Sequence, residues 1–124
     1  MSRVLIIDDD AQMRRLLHQA LSRRGHIVDE AVDGLHALHR FAENPSDLVI
    51  TDLIMPEREG IETIQELRRK CPKLPIIAIS GGGRQGPEYY LSLAVAMGAS
   101  CSFSKPFRIE EILTAVQELT RGAI

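Results

Sequence analysis

The stretch Asp47-Leu48-Val49-Ile50-Thr51-Asp52-Leu53-Ile54-Met55-Pro56 constrains the fold of this chain more than any other. A short run of apolar, strand-favouring residues ends on a single carboxylate, Asp52, and Pro56 stops the run soon after. Such a run reads as a buried strand that delivers Asp52 to the point where the strand emerges. A carboxylate there is costly to desolvate unless something uses its charge.

The same pattern recurs along the chain in alternation with amphipathic segments. Arg3-Val4-Leu5-Ile6-Ile7 is a buried strand ended by Asp8-Asp9-Asp10. Met13, Leu16, Leu17, Ala20 and Leu21 follow at helical spacing, with Arg14, Arg15, His18 and Arg23 on a solvated opposite face. Asp10 is placed to cap that helix and Gly25 to end it. His26 to Val32 mixes Asp29 and Glu30 with apolar residues, as a shorter, partly exposed edge strand would. Leu35, Leu38 and Phe41 outline a second helix closed by Asn44-Pro45, and Ile61, Ile64 and Leu67 a third that stops before Pro72. Leu74 to Ser80 is a fourth strand, followed by the glycine-rich loop Gly81 to Gly86 and a helix from Glu88 to Met97. Ser100 to Ser104 is a short fifth strand, and Ile109, Ile112, Leu113, Val116 and Leu119 mark a last helix. Five β/α units with apolar strands imply a parallel sheet covered on both faces. At 124 residues the chain is one domain, too short for an eight-stranded barrel, so the sheet is open and doubly wound.

In open α/β sheets the ligand site lies beyond the carboxyl ends of the strands. The strands here end in Asp8 and Asp9, in Asp52, in Ser80 and in Lys105. Carboxylates gathered at one edge repel, which raises their proton affinity unless a cation neutralises them. A divalent ion with oxygen ligands, Mg²⁺, suits that set, and Lys105 adds a mobile point charge. The cluster is built to receive an anion. A formal net charge of −2 gives no overall field that would recruit nucleic acid or an anionic membrane. No membrane-length apolar run or signal peptide is visible, and Cys71 and Cys101 lack metal-type spacing, so a cytoplasmic location with reduced thiols is expected.

Asp8-Asp9, Asp52 with Met55-Pro56 and Gly60, Ser80 and Lys105-Pro106, in this order on five βα units, resemble the receiver domain of two-component response regulators. The resemblance spans Val4 to Leu119 and is carried by the combination, since each motif alone is common. It implies a CheY-like, flavodoxin-like fold with strand order 2-1-3-4-5 and five helices, forming one receiver domain over residues 1–124. It further implies Asp52 as phosphoacceptor, receiving a phosphoryl group from a sensor histidine kinase or phosphotransfer protein. Asp9, Asp52 and the backbone carbonyl of Ile54 would hold Mg²⁺, with Asp8 acting through water. Lys105 and Ser80 would contact the phosphoryl oxygens, and the Lys105-Pro106 peptide would be cis. The domain would be a self-phosphorylating and self-dephosphorylating signalling module, not an enzyme. Its readout would be altered partner binding on the face of the fourth helix, fifth strand and fifth helix, which is also a candidate homodimer surface.

Two features depart from the family pattern. Ser102 stands where an aromatic relay residue is usual, and Phe103 has the opposite strand parity. The loop Gly81 to Gly86 is long, and reads equally as a floppy insertion or as a phosphate-responsive lid. Among competing readings, Asp8-Asp9-Asp10 could open a haloacid-dehalogenase-type phosphatase, but Gln12 does not fit that motif. His36 and His39, at i and i+3, lack a third metal ligand, and His18 as a phosphotransfer histidine would need a helical bundle. Tyr89 and Tyr90 open a largely apolar helix that could dock a partner. The chain carries no helix-turn-helix or basic patch for DNA, leaving a stand-alone receiver or the receiver piece of a longer DNA-binding regulator.

Overall fold

The computed structural model describes residues 2–53, 60–80, 92, 94–96 and 98–121. Three strands form where the sequence runs apolar, β1 (Arg3–Ile7), β3 (Leu48–Asp52) and β4 (Ile76–Ser80), and two more mixed ones flank them, β2 (Ile27–Ala31) and β5 (Cys101–Ser104). They build one sheet in the order β2-β1-β3-β4-β5, with every adjacent pair parallel. Helices α1 (Ala11–Arg23), α2 (Gly34–Glu43) and α3 (Gly60–Lys70) alternate with the strands, and α5 (Ile109–Thr120) follows β5. Between β4 and β5 the described residues 92 and 94–96 are helical, and this stretch is called α4. This is the flavodoxin-like doubly wound architecture.

The unbroken apolar runs have a direct cause in the pleat. Successive side chains of a strand point to opposite faces, so a strand with helices on both sides can expose neither parity. Leu5, Ile7, Val49, Ile76 and Ala78 face a core completed by Ala37 and Phe41 of α2 and Ile64 and Leu67 of α3. Val4, Ile6, Leu48, Ile50, Ile77 and Ile79 face a second core with Leu17 and Leu21 of α1 and Ile112 and Val116 of α5. Each side chain of this kind contributes roughly 1.5–3 kcal/mol by full burial. Phe103 packs against the second core, whereas its neighbour Ser102 pairs in register with Ala78, a residue of the first. The opposite parity read from the sequence is therefore observed.

β2 is one of the sheet's two edge strands, with Ile27 exposed and Val28, Asp29 and Glu30 partly so. It is not shorter than the central strands, however: it matches β1, β3 and β4 at five residues, because its register with β1 runs the full length from Arg3 to Ile7. Its two carboxylates are both engaged, Asp29 by Arg3 at 2.8 Å and Glu30 by Arg14 and His18 at 3.0 and 2.6 Å.

Helix ends follow the sequence signals. The Asp10 carboxylate accepts the N–H groups of Gln12 and Met13, and Asp33 accepts that of His36, which satisfies otherwise orphaned donors. At the far end of α1, Gly25 takes φ +89° and donates to Ser22 while His26 donates to Leu21, the left-handed closure that glycine adopts without a Cβ clash. Two apolar residues expected inside lie outside. Leu16 is exposed because the buried stripe of α1 is the i, i+4 pair Leu17 and Leu21, and Leu16 sits about 100° around the helix from Leu17. Leu35 is exposed for the same reason on α2, whose buried stripe is Gly34, Ala37 and Phe41. Among the described residues, no helix is long and apolar enough to cross a membrane.

Candidate functional site

The strand order brings the ends of β1 and β3 side by side at the centre of the sheet. The chain steps outward from β1 to β2 on one side and onward through β3 to β5 on the other, so the ends of β1 and β3 flank the point where strand order reverses. Register places Ile7 opposite Thr51, so Asp8 and Asp52 are the next residues outward on adjacent strands. Asp8, Asp9 and Asp52 each offer a carboxylate oxygen, and these oxygens all lie within 4.8 Å of one another. Asp8 is 2% and Asp52 7% exposed, whereas Asp9 is open to solvent.

Lys105 completes the cluster from β5. Its N–H donates to the Ser80 carbonyl at 2.9 Å, which seats it at the edge where β4 ends. Its Nζ lies 3.7 Å from Asp8 Oδ2 and 3.6 Å from Asp52 Oδ2. The Lys105-Pro106 peptide is cis, as expected. Ser80 ends β4 fully buried, one residue beyond Ile79, the register partner of Asp52. The expected ligand carbonyl of Ile54, the loop Gly81 to Gly86 and the pair Tyr89 and Tyr90 lie outside the described residues.

Electrostatics set this cluster apart from an ordinary ion pair. Burial, more than any other cause, pushes the Asp8 carboxyl up to about 6; the hydrogen bond from the Asp10 N–H opposes the rise, and the Asp52 charge adds to it. Repulsion between carboxylates thus acts as the sequence suggested, but desolvation outweighs it. Among the described residues, three carboxylates face one ammonium at a largely buried edge. The donors are hard oxygens on two rigid strand ends, the chemistry that fits a divalent cation such as Mg²⁺.

Two features of the surroundings escaped the sequence reading. Arg14 does not lie on a solvated face: its side chain is 17% exposed, and Nη1 donates to the Asp8 carbonyl at 2.8 Å. The legible signal was the stripe Asp10, Arg14, His18 at i, i+4 spacing beside an acidic edge strand. Alongside, Met13, Leu16, Lys105, Pro106 and Phe107 line an apolar groove of about 380 Å³. His36 meets the Val32 N–H at Nδ1 and the Arg40 Nε–H at Nε2, both at 3.3 Å, and His39 is exposed. Cys71 and Cys101 are free thiols.

Comparison with known proteins agrees with this geometry. Residues 4–117 match the family described as the response regulator receiver domain. The response regulator MprA of Mycobacterium sp. (strain KMS) is 34% identical over 119 residues, covering 96% of this chain and 50% of that protein. The transcriptional regulatory protein ResD of Bacillus subtilis is 33% identical, covering 98% of this chain and 49% of that protein. This chain thus spans about half the length of the curated relatives it matches. The receiver domain of the Francisella response regulator 1452 superposes with a TM-score of 0.89 at 26% identity, covering 100% of both chains.

Proposed function

From the premise that this chain belongs to the response regulator receiver family, we propose that it is the phosphoacceptor of a two-component relay, with Asp52 as the residue modified. The observation that carries the proposal is the meeting of Asp8, Asp9, Asp52 and Lys105 where the central strands emerge. In this reading an Asp52 carboxylate oxygen attacks the phosphorus of a phosphohistidine on a sensor histidine kinase or phosphotransfer protein. The new oxygen–phosphorus bond forms as the phosphorus–nitrogen bond breaks, and the electron pair returns to the imidazole. Asp8, Asp9 and Asp52, with the Ile54 carbonyl, would hold Mg²⁺, which when bound supplies positive charge against carboxylate and phosphoryl repulsion. Lys105, already between Asp8 and Asp52, turns its ammonium to one phosphoryl oxygen. The Ser80 hydroxyl donates to another. The added charge, near two negative units, then shifts the surface presented by α4, β5 and α5 to a downstream protein or a second copy.

The domain in this reading is residues 1–124, a signalling module rather than an enzyme with an external substrate. It works in the cytoplasm, which its two free cysteines support. The half-length coverage of MprA and ResD favours a second reading, the receiver part of a longer transcriptional regulator, which the length of the native gene product decides. For the phosphoacceptor itself, incubation with Mg²⁺ and a small phosphodonor adds the mass of one phosphoryl group, and Asp52→Asn abolishes the gain. Retention of the added mass in that variant sinks the assignment.

A further inference from the structure

Arg14 is more buried and more tightly fixed than a helix-surface arginine needs to be. Besides its bond to the Asp8 carbonyl, its Nε donates to Glu30 Oε1 at 3.0 Å. Glu30 is itself held through Oε2, which meets His18 Nδ1 at 2.6 Å. The reason a side chain is needed lies in the sheet. The Asp8 N–H still finds a strand partner, the Ala31 carbonyl at 3.1 Å, but β2 ends at Ala31. The next group outward, the Asp8 carbonyl, is served by the Arg14 guanidinium instead. That carbonyl defines the peptide plane between Asp8 and Asp9, and tilting the plane moves both carboxylates.

We propose that Arg14 is a positioning residue for the carboxylate cluster, holding the Asp8–Asp9 peptide so that both side chains converge with Asp52 on a divalent cation, with Glu30 and His18 holding Arg14. The inference rests on the receiver reading and adds to it the means by which the β1 end is kept in register with the β3 end. It also explains the residue type. One planar guanidinium reaches a carbonyl and a carboxylate at fixed angles, which the point donor of lysine does not do. Finally it gives function to Glu30, an edge-strand carboxylate on the parity of Val28 that faces α1.

The sign of the effect on cation binding separates positioning from charge. Coulomb repulsion alone makes a nearby arginine unfavourable for a bound cation, so its removal would tighten Mg²⁺ binding. Loss of positioning weakens it. Calorimetric Mg²⁺ titration of the wild type, Arg14→Gln, Arg14→Lys and the exposed-neighbour control Arg15→Gln reads this directly, with thermal melts in EDTA alongside. Arg14→Gln is expected to raise the Mg²⁺ Kd roughly tenfold, the usual scale for residues that orient metal ligands. Arg14→Lys, which conserves charge, raises it by a smaller factor, and it carries the test if the glutamine variant does not fold. Arg15→Gln leaves Kd unchanged or lowers it. Wild-type affinity or tighter binding in Arg14→Gln, or in Arg14→Lys if only that folds, overturns the proposal even if melting falls. A wild type that neither binds Mg²⁺ nor takes up phosphoryl overturns the receiver reading beneath it.

Discussion

Burial holds the Asp8 carboxyl at about 6 in the fold, against an ordinary value of 3.8 in the unfolded chain. The folded state therefore binds this proton more tightly, and stability falls as pH rises through the window from about 4 to about 6. Above that window the ionised side chain costs the fold its whole penalty, on the order of 3 kcal/mol. Asp8→Asn keeps an oxygen to accept the Asp10 N–H, at 2.9 Å in the native chain, while removing the charge. Urea denaturation in EDTA at pH 7.5 is expected to find the variant more stable than the wild type by about 1–3 kcal/mol, with the gain shrinking as pH drops toward 4.5. A destabilised variant, or a gain that does not change with pH, contradicts this account of Asp8. The residue scale is also where the sequence was least legible. Helical period located the faces of α1 and α2 but not their widths, so Leu16 and Leu35 were placed inside although they lie outside. Nor could period show that Arg14 bends back over the end of β1, because its two acceptors, the Asp8 carbonyl and Glu30, meet only after β2 pairs with β1.

Glycines at element boundaries look alike in sequence and differ in physics once the elements are assembled. Gly60 begins α3, and its N–H donates to the Leu53 carbonyl at 2.9 Å. A Cβ there would collide with the Asp52 carbonyl oxygen and lie 2.6 Å from Leu53 Cα, backbone atoms that cannot swing aside. Gly25, by contrast, would meet nothing within 4 Å, and its constraint is the positive φ alone. Alanine at Gly25 is thus expected to cost about 1 kcal/mol, the ordinary penalty of left-handed backbone with a side chain. At Gly60 the same change costs about 2–4 kcal/mol and also displaces the Asp52 peptide, so phosphoryl uptake falls with stability. Equal losses in both variants by denaturant midpoint, with uptake intact in Gly60→Ala, would refute this distinction. At this scale the sequence was largely readable. The three central strands showed as apolar runs closed by a polar residue, the start of α1 as Asp10, and the parity of Ser102 and Phe103 followed from the pleat alone. The close approach of Gly60 was not readable, since it depends on where β3 ends relative to α3 in space.

Across the whole molecule, neither core includes the cluster. The two layers of apolar side chains stabilise the sheet, and the close approach of three carboxylates at the ends of β1 and β3 works against it. A domain of this size unfolds as a unit, so a ligand that joins those two strand ends acts on global stability and not only on a loop. The proposed function requires such a ligand to bind the folded chain and not the unfolded one, in which Asp8 and Asp52 are far apart in sequence. Linkage then fixes the form of the response: once Mg²⁺ exceeds its Kd, each further tenfold rise adds about 1.4 kcal/mol to unfolding stability. For a chain of this length that is a rise of several degrees in Tm per decade of Mg²⁺. Asp9 supplies the control, because it is solvent-exposed and its carboxylate can be removed without uncovering the core. Asp9→Asn is expected to fold with near-native stability in EDTA while the Mg²⁺-dependent rise in Tm shifts to higher concentration. A Tm indifferent to Mg²⁺ at concentrations that support phosphoryl uptake would place the ion elsewhere, and an unshifted response in Asp9→Asn would remove Asp9 from its ligands.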